Sequence, residues 1–168
     1  MIRIATLMIL LTSLLINVEA ISIPDARKAY DEAVYKASAG KTFLAQAEKL
    51  NPTEPLIMGY VGAVKMIMAK HYFNPWAKLH SFNQGRELLE KALAAQPQGV
   101  ELVFLRFSIQ SNSPGFLNYN QHLATDKAFL LANIVSLKDK VLKEKISNYL
   151  LSSEALTPAE KQKIQAAL

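Results

Sequence analysis

Two 13-residue stretches, "GKTFLAQAEKLNP" from Gly40 to Pro52 and "GRELLEKALAAQP" from Gly85 to Pro97, carry Gly, Leu, Ala and Pro at matching positions 45 residues apart. Each reads as a helix. A glycine at its start and an alanine two turns later let a neighbouring helix approach closely, and the leucine between them fills the groove beside the crossing. The proline stops the helix, because it lacks an N–H and clashes with the preceding turn. A chain that repeats this arrangement has to supply partner helices for both stretches.

Those partners are visible in the helical periodicity. Ala26, Ala29, Tyr30, Ala33, Val34 and Ala37 fall on one face of a helix predicted over Pro24–Ala39, with Gly40 ending it or opening the next. Leu56, Ile57, Tyr60, Val61, Val64, Ile67 and Met68 mark a third helix from Pro55 to His71. Asn74 and Pro75 are a cap and a first-turn proline for a fourth, which keeps register to Ala95. A strongly apolar helix is predicted from Val100 to Gln110, a sixth from Gln121 to Ser136 and a seventh from Lys138 to Leu151. "TPAE" at Thr157–Glu160 is a capping box that opens a last one. Alternation of apolar and polar residues never persists for strand length, so the fold predicted is all-α, with seven to eight helices paired as antiparallel hairpins.

Residues 1–20 read as a separate element. One arginine, a run of mostly apolar residues from Ile4 to Ile16, and small residues at Val18 and Ala20 have the layout of a signal peptide cleaved before Ile21, or of an uncleaved anchor. Residues 21–168 then form one helical domain, exported to a bacterial periplasm or secreted, with no further segment apolar enough to span a membrane. The chain has no cysteine, which excludes disulfides, thiolate metal sites and a cysteine nucleophile.

The order small-x3-large-x2-Ala-x4-Pro in both stretches is similar to the second helix of a tetratricopeptide repeat, and Met58, Val61 and Gly62 continue the likeness into the first helix of the next repeat. The resemblance covers about Tyr30 to Gln110. It departs from the family pattern in its period, 45 residues against about 34, in Lys65 where a late aromatic is usual, and in Arg106 and Phe107 where leucine and glycine are expected. A compact irregular helical bundle is the other arrangement open to this sequence. The chain also resembles the small degenerate repeat proteins that Gram-negative bacteria export, and that resemblance implies a non-catalytic module binding a protein or peptide.

Residue chemistry adds little to this. The formal charge of +5 is spread along the chain and interleaved with acids, so no nucleic-acid surface is predicted. His122 and Asp126 are spaced i, i+4, and His71 and His80 lack nearby carboxylates, so neither a metal site nor a catalytic set is assigned, and no cofactor is implied. Glu90, between Arg86 and Lys91, reads as part of a solvated face.

The remaining candidates are two loops. "HYFNPW" and "SNSPGFLNYN" each join the two helices of a hairpin, so they are expected on one edge and side by side. They gather His71, Tyr72, Phe73, Asn74, Trp76, Phe116, Asn118, Tyr119, Asn120 and His122. Aromatic faces beside amides suit a protein or peptide partner, or, as the alternative, a glycan or other small ligand bound in the periplasm. The same aromatics also suit packing between helices. Exposure of Trp76 separates the two readings.

Overall fold

The computed structural model describes residues 20–166; the leader predicted at residues 1–20 lies, apart from Ala20, outside them. It contains α1 (Ile23–Ala33), α2 (Ala37–Leu50), α3 (Pro55–Met68), α4 (Pro75–Ala95), α5 (Val100–Asn112), α6 (Leu123–Asn133), α7 (Lys140–Ser152) and α8 (Pro158–Gln165), with short 3-10 turns at Ala69–His71 and Gly115–Leu117. The fold is all-α, and no strand occurs among the described residues.

Local chemistry places most helix starts. Ser22, Glu54, Asn74, Asp139 and Thr157 each accept a backbone N–H of the first turn through a side-chain oxygen. Proline follows within two residues in α1, α3, α4 and α8, where its missing N–H costs no helical bond. The Thr157–Glu160 capping box forms as the sequence requires. At the end of α2, Asn51 turns the chain through a left-handed conformation at φ 42°, and Pro52 follows.

Several boundaries shift by two or three residues from the periodicity, and the end of the first helix by more. The helix predicted to Ala39 stops at Ala33, and α2 starts at Ala37, so Gly40 lies inside α2. The cause is tertiary: the Lys70 ammonium donates to the Val34 carbonyl and His71 Nε2 donates to the Ala33 carbonyl at 2.8 Å. Those two carbonyls, left over at the end of α1, are satisfied from the turn after α3.

Consecutive helices pair as hairpins, α1 with α2, α3 with α4, α5 with α6 and α7 with α8, while α3 also packs on α1, α2 and α5. Ten of its 14 residues are buried, as expected for a helix that is apolar all round. Both glycines of the repeated stretches face it. An added Cβ on Gly40 would collide with Met68, and one on Gly85 would lie 2.8 Å from the backbone nitrogen of Met66.

The odd-numbered helices run in one direction and close on each other. Arg27 and Tyr30 of α1 reach Glu101 and Ser108 of α5, while Arg27 and Asp31 reach Asp139 and Lys145 at the start and middle of α7. Contacts that advance together along both chains mean parallel neighbours. Tyr30 and Tyr60 meet edge to face at 5.9 Å in the space between them, and Tyr149 of α7 packs edge to face on Phe104 and Phe107 of α5. The inner faces of these helices are therefore core rather than an open groove. One apolar cluster extends from Ile21 to Ile164.

Candidate functional site

Parallel odd helices bring the links within each hairpin to the same end of the molecule. These links are residues 34–36, 69–74, 113–122 and 153–157, of which the first three carry the exposed aromatics. The hydrogen bonds from Lys70 and His71 to the end of α1 join the first two directly.

Large exposed aromatics concentrate here. Tyr35 in the first link is 85% exposed, Phe73 in the second is 100% exposed, Trp76 just beyond it is 80% exposed, and Phe116 in the third is 85% exposed. Leu79 continues the patch one turn beyond Trp76. Side chains of this size normally retreat into a core, and several exposed ones at one end of a fold point to contact with something else. Nothing in the sequence marks Tyr35, since the periodicity runs a helix through it to Ala39; the break after Ala33 leaves it in the link.

The other candidates from the two loops divide. His71 is half-buried and holds the end of α1, and Tyr72 is packed against the core. Asn74 spends its side-chain oxygen on the N–H groups of Trp76 and Ala77. Asn118 takes the left-handed conformation that ends the 3-10 turn, at φ 47°, and Asn120 and His122 are exposed. Tyr119 points inward, only 4% exposed, with its ring edge-to-face on Phe82 at 5.7 Å and its hydroxyl donating to Glu90 Oε1 at 2.6 Å. It is a staple between the third link and α4.

That staple also sets the relative position of the two loops. The third link is fastened to α4 at Phe82 and Glu90 rather than at Trp76; Phe82 lies about 9 Å further along the helix at ~1.5 Å per residue. The two loops share an edge, but the edge is stepped.

Two charge clusters lock the helices, one around Arg106 in the middle of α5 and one at the opposite end from the links, where α1 and α5 begin. Arg106 of α5 grips Asp126 of α6 with two bonds of 2.8 and 2.7 Å and reaches Glu90 of α4 at 2.9 Å. Asp126 therefore turns inward to Arg106 while His122 stays exposed, and Glu90 belongs to an inter-helix network instead of the solvated face its neighbours suggested. In the second cluster Glu101 receives Arg27 through Nε at 2.6 Å and Nη2 at 2.8 Å, together with the Tyr60 hydroxyl. Burial first, and then the adjoining carboxylate, pushes the hydroxyls of Tyr60 and Tyr119 well above the ordinary phenol range. Both phenols therefore remain donors. Neither cluster has a nucleophile beside a base, and no group of three metal-ligating side chains occurs among the described residues.

No family model, curated protein or solved structure matches the chain.

Proposed function

We propose that this is a non-catalytic, exported interaction module, with a tetratricopeptide-like arrangement of hairpins, that binds a protein or peptide partner in the bacterial cell envelope. The observation that carries this reading is the set of four strongly exposed aromatics, Tyr35, Phe73, Trp76 and Phe116, at successive hairpin links. Rigid aromatics held at the end of a locked helical stack supply large contact area at small entropic cost. The third link adds exposed Asn118, Asn120 and Gln121 beside Phe116, and residues 107–125 contain no Asp, Glu, Lys or Arg. Such a neutral, amide-rich loop suits hydrogen bonding to a peptide backbone.

Closure of the odd-numbered helices on one another supports this edge over a groove along the first helices as the contact surface. The engagement of the Asn74 side-chain oxygen in capping α4 favours a protein over a glycan at the second link. The test is titration of labelled protein with lipid-free protein and glycan fractions of the envelope, followed by fluorescence polarisation. A response to the protein fraction that Phe116→Ala weakens supports the reading. A response to the glycan fraction alone, or one that Phe116→Ala leaves unchanged, overturns it.

A further inference from the structure

The segment around the start of α4 combines exposure with charge in a way that the rest of the edge does not. From Pro55 to Arg86 the sequence contains no Asp or Glu, while it contains Lys65, Lys70, Lys78 and Arg86, with His71 and His80. Phe73 and Trp76 are almost wholly exposed and Leu79 partly so; Trp76, Leu79 and His80, at i, i+3 and i+4, share a helix face. Lys78 and His80 lie in the same two turns and are exposed. Lys70, bonded to the Val34 carbonyl, stands at the first link, where exposed Tyr35 and Lys36 are the next two residues. The nearest carboxylate to that link in sequence is Glu32, which lines the groove between α1 and α2 with Lys28 and Lys36.

We infer that this end of the molecule seats on an anionic phospholipid bilayer, with Phe73, Trp76 and Leu79 entering the headgroup and upper acyl region and Lys36, Lys70 and Lys78 meeting the lipid phosphates. Aromatic rings favour that interface because one end of the residue is apolar and the other tolerates water. Lysines beside them are attracted to the negative surface potential, and the lack of Asp and Glu from Pro55 to Arg86 lessens the opposing repulsion. No described helix is long and apolar enough to cross a membrane, so the seat is peripheral. This goes beyond the partner reading: it claims Phe73 and Trp76 for the bilayer and leaves Phe116, on another link of the stepped edge, to the partner.

Trp76, the only tryptophan, reports the seat directly in the full chain. The protein is mixed with vesicles of phosphatidylcholine alone or with phosphatidylglycerol added, and Trp76 is probed with iodide and with brominated acyl chains. With anionic vesicles Trp76 becomes blue-shifted, shielded from iodide and quenched by the brominated lipid, and added salt reverses this. Lys36→Glu and Lys78→Glu, which spare the structural Lys70, each weaken the response about fivefold or more. Phe73→Ala weakens it while the fold is unchanged. The inference is overturned if a vesicle-bound chain leaves Trp76 open to iodide, since contact then lies elsewhere in the chain. Equal responses to both vesicle types, or protection of Trp76 by lipid-free envelope protein but not by vesicles, overturn it too, and the last result supports the partner reading.

Discussion

Gly62 of α3 and Gly85 of α4 face each other backbone to backbone: a Cβ added to Gly62 would stand 2.6 Å from the Gly85 carbonyl oxygen and 2.7 Å from the Leu89 nitrogen. This crossing is the tightest reason why the helices at the centre of the fold sit as they do. It also explains why glycine, rather than alanine, stands at the start of the second repeated stretch. Backbone atoms cannot swing aside as a flexible side chain does, so the helices would have to separate.

Gly62→Ala and Gly85→Ala are therefore expected to destabilise the protein by about 2–3 kcal/mol through overpacking, overriding the ~1 kcal/mol that alanine gains in helix propensity. Gly115→Ala is the control, because nothing lies within 4 Å of the added Cβ. Urea denaturation of the three variants checks this; an unchanged midpoint for Gly85→Ala would contradict the close crossing.

Arg106 holds the second and third hairpins together. Its side chain is 13% exposed and that of Asp126 is 4% exposed, so Arg106→Met leaves a buried carboxylate without a counter-charge, at a cost of about 3–5 kcal/mol. The double variant Arg106→Met/Asp126→Leu recovers most of that loss, since removing both charges also removes the desolvation cost. Thermal melts of the two variants and of Asp126→Leu complete the cycle.

Alkaline pH reveals the buried phenols. Burial is the leading cause that raises Tyr30, Tyr60, Tyr119 and Tyr149 above the ordinary phenol value. A group raised in the folded state contributes stability that is intact below its unfolded value, about pH 10, and is lost as pH climbs through the folded value. Tyrosinate absorbance followed against pH is expected to show four of the six tyrosines resisting ionisation until the chain unfolds, in step with loss of helical circular dichroism.

Acid acts through the caps. The Asp139 and Glu160 carboxyls are held below the ordinary carboxylate range, chiefly by the backbone N–H groups of Leu142 and Thr157 respectively. Depressed groups contribute stability that is present above the unfolded value, about pH 4, and lost as pH falls through the folded value. Melting temperature is expected to drop on acidification, and Asp139→Ala/Glu160→Ala to drop less over the same range.

Much of this fold is written locally. Asn74 with Pro75 and the Thr157–Glu160 box fix helix starts through bonds spanning two or three residues, and Gly40 and Gly85 of the repeated stretches mark close crossings in the sequence itself. What escapes a linear reading is supplied from far along the chain. The break after Ala33 has no proline or glycine to mark it; its carbonyls are satisfied by Lys70 and His71, 36 and 38 residues away. Glu101 and Arg106 look like charges misplaced in an apolar helix until Arg27, 74 residues distant, and Asp126 close over them. The aromatic edge was legible in part. Phe73, Trp76 and Phe116 lie in links rich in turn residues, but nothing in its own stretch separates Tyr119 from them. Its fate depends on Phe82 and Glu90 lying opposite.

The central claim is that the hairpin-link edge, and no other face, contacts a partner protein. A photo-crosslinking phenylalanine analogue placed at Phe116, and separately at Tyr35, tests it against the same analogue at Val141, exposed in the first turn of α7 at the opposite end. Irradiation in intact envelopes is predicted to join one and the same protein to the Phe116 and Tyr35 positions and to leave Val141 without it. Crosslinks to that protein from Val141, or different and scattered products from the two edge positions, would contradict the account.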